Sequence, residues 1–329
     1  MKKILVIRFS SFGDIVQASA INSAVKKRYP EVELIWLTKK AFEPLLFADP
    51  NVDKVKSLES FRGTISIFRW IKSQKFDFVY DAHYSLRSSL LFLLTKVFSG
   101  GSLWIRRSKH RWKRYLLFTF RINLFPKPFV GQASYLAPLK SLNISIEPNK
   151  THWNFDEKII KKVDELLGSG EFIVLAPSAA WEMKRWPINH WNKLIKIFIE
   201  KFPDTKVVLV GGPNDRFIND FYSHPNVINL SGKLSLLESS YLVTKANVTV
   251  SADTGIIHVV DAHQKPGILL NGPTAFGKTF SPSIKILEAG LYCQPCSKDG
   301  RGKCERQVYQ QCMVDIAPEL VLEVIKDKL

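Results

Sequence analysis

Four short stretches of the chain combine residue types and spacings that fit chemistry. In RFSSFGDIVQA, Gly13 permits a tight backbone path and Asp14 stands at the start of a helix-patterned run, where the positive end of a helix favours an ionised carboxylate. Such a carboxylate can act as a general base, although Ser11 and Asp14 are also the residues that commonly cap a helix. In SADTGIIH, the N–H groups of a helix start, the Thr254 hydroxyl and the small Gly255 together suit a diphosphate. Asp253 would repel phosphate and fits a sugar hydroxyl better. His258, one turn into the helix, can reach the same site or serve as a satisfied, half-buried histidine. In LAPSAAWEMKRWP, small residues allow close backbone approach and Lys184 can neutralise a leaving phosphate, or be one more solvated lysine. Finally, all four cysteines, Cys293, Cys296, Cys304 and Cys312, follow the pattern C-x2-C-x7-C-x7-C. Only the first pair has the close spacing of a thiolate metal site, so packing thiols compete with a zinc ligand set.

These residues need elements to hold them, and the sequence alternates strand and helix patterns throughout. KKILVIRF, VELIWLT and FDFVYDA read as strands in the first half, and FIVLAPS, TKVVLVGG, NVTVSA and PGILLN in the second, with helical periodicity between them. That rhythm predicts α/β architecture with doubly wound parallel sheets. A polar stretch with a proline between Asn143 and Trp153 marks a linker, so two domains are expected, at 1–150 and 151–329. The stretches that carry Asp14, Lys184 and Asp253 each follow a strand end, where ligands sit in such sheets.

With 329 residues, 46% hydrophobic and 23% charged, the chain has the composition of a globular protein with two cores. Its 47 Lys+Arg against 30 Asp+Glu leave a formal charge of +17, which favours an anionic partner: nucleic acid, acidic lipid or a phosphorylated substrate. The opening MKKILVIRFSSFGDIVQASA imitates a secretory leader, but Arg8 and Asp14 break the apolar run below the roughly seven to fifteen residues such a leader needs. SLLFLLTKVFSG, interrupted by Lys96, falls short of the ~18 residues of a membrane span. A cytosolic or membrane-surface protein is expected. Between Trp104 and Lys127 the cations Arg106, Arg107, Lys109, Arg111, Lys113 and Arg114 interleave with aromatic residues, which suits an anionic membrane, a charged acceptor, RNA or merely a solvated basic face.

GPTAFGKT at 272–279 fits the phosphate-loop pattern letter for letter, and the strand GILLN precedes it as the motif requires. Pro282 follows within a few residues, however, and IKILEAG reads as another strand, so the long helix that completes a phosphate loop has no room. A strand-to-loop turn is the expected structure.

Taken together, RFSSFGDIVQA, PSAA...KRWP, VVLVGG, SADTGIIH, NGPT and CQPC...C...CMVDI resemble, in order and spacing, the bacterial lipopolysaccharide heptosyltransferases of glycosyltransferase family 9. The resemblance implies a GT-B architecture of two Rossmann-like domains facing a central cleft, acceptor on the first and nucleotide-sugar donor on the second, with the last helix (about 316–328) packing back between them. It implies transfer of heptose from ADP-L-glycero-D-manno-heptose to the inner core, on a Kdo-lipid A or heptosyl acceptor, at the cytoplasmic face of the inner membrane. Inversion without cofactor or bound metal is implied too, and the chain contains no D-x-D pair that would hold a metal-diphosphate. Residue by residue, the resemblance makes Asp14 the general base and places Ser178, Lys184, Asp215, Asp253, Thr254, Gly255 and His258 around the donor. The six cations from Arg106 to Arg114 would hold the acceptor and the anionic membrane; no nucleic acid is expected. Ala179 and Ala180 stand where one branch of the family has two threonines, which opens the donor to another nucleotide-sugar for surface glycan. A P-loop ATPase acting through Lys278, and a noncatalytic membrane- or RNA-binding protein, are the readings from other classes.

Overall fold

A computed structural model describes residues 1–98 and 101–329. Its contacts divide the chain into two compact units, one of 1–111 and 130–154, the other of 112–129 and 155–329. The expected boundary at 150 lies beside the break at Asn154, but 112–129, inside the first half of the sequence, belongs to the second unit.

The first unit is built on β1 (Lys3–Ile7), β2 (Glu33–Thr38), β3 (Lys54–Ser57), β4 (Phe78–Asp81) and β5 (Leu103–Arg106), all parallel in the order β3-β2-β1-β4-β5. Alternate side chains separate to the two faces of the sheet as strand geometry demands. Ile4, Val6, Leu34, Trp36, Phe78 and Tyr80 enter one core, while Leu5, Ile7, Ile35, Leu37 and Val79 enter the other. Both faces are thus covered, which is why the strands read as unbroken apolar runs. β3 and β5 fall outside the strands expected from sequence, because KVKS and LWIR are edge strands with exposed positions.

The second unit carries β6 (Phe172–Ala176), β7 (Lys206–Leu209), β8 (Val227–Asn229), β9 (Thr249–Ala252), β10 (Gly267–Leu270) and β11 (Ile284–Leu287), parallel in the order β11-β10-β9-β6-β7-β8. Between β7 and β8 the segment DRFINDFYS forms a short 3-10 helix, Arg216–Asp220. The last helix, Pro318–Lys326, belongs to the second unit. Its Val321, Leu322 and Ile325 enter the second unit's core beside Leu194 and Phe198 of the helix Ile188–Lys201.

Both sheets reverse their winding beside their first strand: between β1 and β4 in one unit, between β6 and β9 in the other. Loops leaving such a pair of strands diverge and open a crevice at their carboxyl ends. The candidate residues follow these very strands: Asp14 after β1, Ser178 and Lys184 after β6, Asp253 to Gly255 after β9.

Candidate active site

In the first unit, the chain leaves β1 through Arg8, a buried cation that cannot stay unpaired in a core. Its guanidinium meets Asp14 Oδ2 at 2.5 Å and donates to the carbonyl of Ala82, just beyond β4, at 2.8 Å. Asp14, in the first turn of the helix Phe12–Ala18, also accepts from the Tyr135 hydroxyl at 2.7 Å and the Ser11 hydroxyl at 2.8 Å. Burial alone would raise the Asp14 pKa; Arg8, Tyr135 and Ser11 outweigh it and hold the carboxyl well below its ordinary range. The carboxylate thus completes the helix's capping box with Ser11 and stays ionised. Tyr135 is fixed in turn by the Tyr80 hydroxyl, which donates to its carbonyl at 2.7 Å, and by the guanidinium of Arg107, 3.9 Å from its ring centre. His83, just beyond β4, is pushed down to about 4 by burial and then by Arg8, so it is neutral at physiological pH.

In the second unit, Asp253 gathers three partners. Lys184 Nζ lies 2.9 Å from its Oδ2, the Thr274 hydroxyl donates to the same oxygen at 2.8 Å, and His258 Nε2 stands 3.6 Å from Oδ1. The Lys184 and Asp253 side chains are each only 14% exposed, so water screens the pair weakly. Burial would raise the Asp253 pKa, but Lys184 and His258 hold it well below the usual carboxylate range. Thr254 precedes the helix Gly255–Ala262 without its side chain capping it, and its hydroxyl instead meets that of Ser251 at 3.1 Å. The N–H groups of that helix start are the kind of donors that can receive an anion.

Ser178 and Asp215 meet around Gly211. A Cβ there would stand 2.8 Å from Ser178 Oγ and 3.3 Å from Asp215 Cβ, so only glycine lets the two loops close. Asp215 accepts from Gly212 N–H at 2.7 Å, whereas the buried Ser178 hydroxyl has no hydrogen-bond partner among the described residues. A polar atom left in that state is suited to a ligand.

Within the second unit, a helix start suited to an anion beside a fixed lysine fits a phosphorylated donor; within the first, an ionised carboxylate at a switch point fits a proton acceptor. Residues 64–305 match the model of glycosyltransferase family 9 (heptosyltransferase). The chain belongs to glycosyltransferase family 9. A lipooligosaccharide heptosyltransferase 2 of Haemophilus influenzae is 27% identical to it, with 99% of each chain covered. The structure of Escherichia coli ADP-heptose LPS heptosyltransferase II aligns with a TM-score of 0.75 at 22% identity, over 99% of this chain and 98% of that one. That of E. coli heptosyltransferase WaaC with ADP-2-deoxy-2-fluoro heptose aligns at 0.63 and 18% identity, over 99% and 100%. The expected GT-B class, two doubly wound parallel-sheet domains, is the fold these structures share with this glycosyltransferase.

GPTAFGKT forms the strand-to-loop turn expected of it in this transferase: among the described residues no helix lies between β10 and β11, and Lys278 is paired with Glu288. The segment is instead tied down by Asp261, which accepts from Phe280 and Ser281 N–H groups at 2.9 and 2.8 Å and is raised by burial to about 6. The basic stretch divides between the two units. Arg106 is committed to buried Asp81 at 3.2 Å and Arg107 to the Ser134 hydroxyl at 2.7 Å, both in the first unit. Lys113 and Arg114 belong to the second unit, Arg114 lying 4.5 Å from the Phe276 ring centre. Lys109 is half-buried in the first unit, and Arg111 is exposed. Among the described residues no group of three or more His, Cys, Asp or Glu could hold a metal. All four cysteines are free thiols, and burial pushes Cys312 up to about 12. No helix among the described residues is long and apolar enough to cross a membrane.

Sequence reasoning missed Arg8, Tyr135 and Thr274 as site residues. Arg8 carried a signal, since a charge at the end of a buried strand demands a partner. Tyr135 carried none, lying 121 residues from the carboxylate it serves.

Proposed function

We propose that this glycosyltransferase moves heptose from ADP-L-glycero-D-manno-heptose to the lipopolysaccharide inner core, on a Kdo-lipid A or heptosyl acceptor, inverting the anomeric carbon without metal. Relatives named for this chemistry align over nearly the full chain. The observation that carries the reading is the Asp253 set, in which Lys184, Thr274 and His258 converge beside a helix start that favours diphosphate. Asp14 takes the proton of the acceptor hydroxyl as its oxygen bonds to the anomeric carbon. The bond from that carbon to the diphosphate breaks, and Lys184 with the helix N–H groups at Gly255 receives the charge on the leaving ADP. Asp253 and His258 hold heptose hydroxyls; Thr254, Ser178 and Asp215 complete the donor contacts. Arg111 and Lys113, which meet no carboxylate among the described residues, are the cations best suited to the acceptor's acidic groups. The enzyme works as a peripheral protein at the cytoplasmic face of the inner membrane.

The direct test offers ADP-heptose, UDP-sugars and GDP-sugars in turn with Kdo-lipid A and follows acceptor mass. Transfer only from a UDP- or GDP-sugar would sink the heptosyl reading.

Two further outcomes follow from the geometry. Tyr135→Phe removes one hydrogen bond from the Asp14 carboxylate but leaves Arg8, so the carboxyl pKa rises. A charge-assisted bond is worth about 1.5–3 kcal/mol, or roughly one to two pH units, and the acid limb of kcat/KM should move to higher pH by that amount. An unmoved limb would separate Asp14 from the rate. Gly300, at φ +89°, lies against the aliphatic stem of Lys184: a Cβ would stand 2.6 Å from its Cγ and 2.8 Å from its Cδ. Because Lys184 cannot yield without leaving Asp253, Gly300→Ala should raise donor KM about tenfold, near the low end of the ~1–3 kcal/mol cost of overpacking. Acceptor KM should stay unchanged; initial rates with each substrate varied would show whether it does.

A further inference from the structure

We propose that the face formed by the helices Thr64–Gln74 and Leu86–Phe98 is a docking surface for an anionic lipid bilayer. The second of these helices is inverted relative to an ordinary surface helix. Its inward positions include Ser88 and Thr95, both buried with Leu91, and their hydroxyls are satisfied locally, Thr95 donating to the Leu91 carbonyl at 2.8 Å and Ser88 to that of Ser85 at 3.2 Å. Its outward positions are apolar: Leu86 is 92% exposed, Leu90 44%, Leu93 56% and Val97 62%. Steps of four, three and four residues place these on a single stripe. An unbroken apolar stripe of this length on a solvent-facing helix marks an interaction surface.

Charge selects the occupant. Neither helix contains an aspartate or glutamate, whereas Arg69, Lys72, Arg87 and Lys96 are all exposed. The two helices pack side by side, with the rings of Phe68 and Phe98 6.3 Å apart, so the cations border the stripe. Leucines flanked only by positive charge match the boundary between acyl chains and anionic headgroups. The thirteen residues of Leu86–Phe98 span about 20 Å, short of a ~30 Å hydrocarbon core, so the helix lies in the surface and does not cross it. The surface deepens the proposed function, resting on its lipid-carried acceptor only for its purpose, and moves the membrane contact from Arg106–Arg114 to this face of the first unit.

Co-sedimentation of the full chain with vesicles tests it. The protein should bind phosphatidylcholine mixed with phosphatidylglycerol, release as salt rises, and ignore phosphatidylcholine alone. Leu90→Glu with Leu93→Glu should weaken binding at least tenfold, and Arg69→Ala or Lys72→Ala about fivefold each, the equivalent of roughly 1 kcal/mol per cation. Melting curves confirm that the variants fold, and their transfer rates on a detergent-solubilised acceptor should match the parent. Binding unaffected by the two glutamates overturns the proposal, as does failure of the parent chain to bind mixed vesicles. A parent dimer that the glutamates split would show that the face joins two copies of the chain. Vesicle binding requires no sugar transfer, so either reading can fail while the other stands.

Discussion

Asp14→Asn is expected to lower kcat by about 10²–10⁴-fold, the range that a positioned proton acceptor contributes, while donor affinity stays at the parent value. Asparagine keeps the size and an oxygen for Tyr135 and Ser11 but cannot accept a proton. The effect should therefore appear in kcat and in kcat/KM for the acceptor alike, the signature of an interaction made in the transition state. Donor binding, measured by calorimetry with ADP-heptose, is unaffected because Lys184 and Asp253 lie in the other unit. The substitution also leaves Arg8 facing a neutral amide in a buried position, so the melting temperature should fall. A variant retaining more than about a tenth of parental kcat would remove Asp14 from the proton transfer.

Lys184→Met carries the second large effect. Methionine fills the space of the aliphatic stem against Gly300, so packing is preserved and the loss is one of charge. Transfer efficiency from ADP-heptose should drop about 10²–10³-fold, as when one fixed donor to developing charge is removed. Stability should fall as well, by about 3–5 kcal/mol, because Asp253 is only 14% exposed and loses its ion-pair partner. The pH dependence has a definite sign. In the parent, Asp253 titrates below its ordinary 3.8, so its contribution is present above that value and lost as pH falls further. Removing Lys184 takes away the largest cause that opposes burial, so the carboxyl pKa rises and the penalty falls on the charged form. The difference in melting temperature between parent and variant should be largest at neutral pH and shrink toward pH 3. A difference that stays constant would mean that the lysine does not act through Asp253.

Much of this site was legible in the chain because it consists of strand–loop–helix units. A strand whose alternate residues are all apolar, followed by Ser-Ser-Phe-Gly-Asp or Ala-Asp-Thr-Gly and then a 3.6-residue period, specifies local backbone and the placing of Asp14 and Asp253 at helix starts. The false phosphate loop failed on the same local grounds: eight matching letters without a following helix cannot aim their N–H groups. The Arg106–Arg114 cluster was less legible. Its charges are close in sequence, but a strand edge and a helix divide them between units, and two of them are committed to Asp81 and Ser134. The inverted helix Leu86–Phe98 was equally hidden, since an apolar run with an occasional Ser or Thr shows no period that tells which side faces inward.

The sequence by itself determined the chemistry-bearing side chains and the alternation of strand and helix, because both follow from residue type and from periods spanning a few residues. Tertiary structure decided the partnerships. Strand order brings the loops after β6 and β9 together, so Lys184 meets Asp253 across 69 positions and Tyr135 meets Asp14 across 121. Those pairings hold the two carboxylates ionised against burial, and their energy comes from distance and dielectric in the folded protein, which no local pattern encodes.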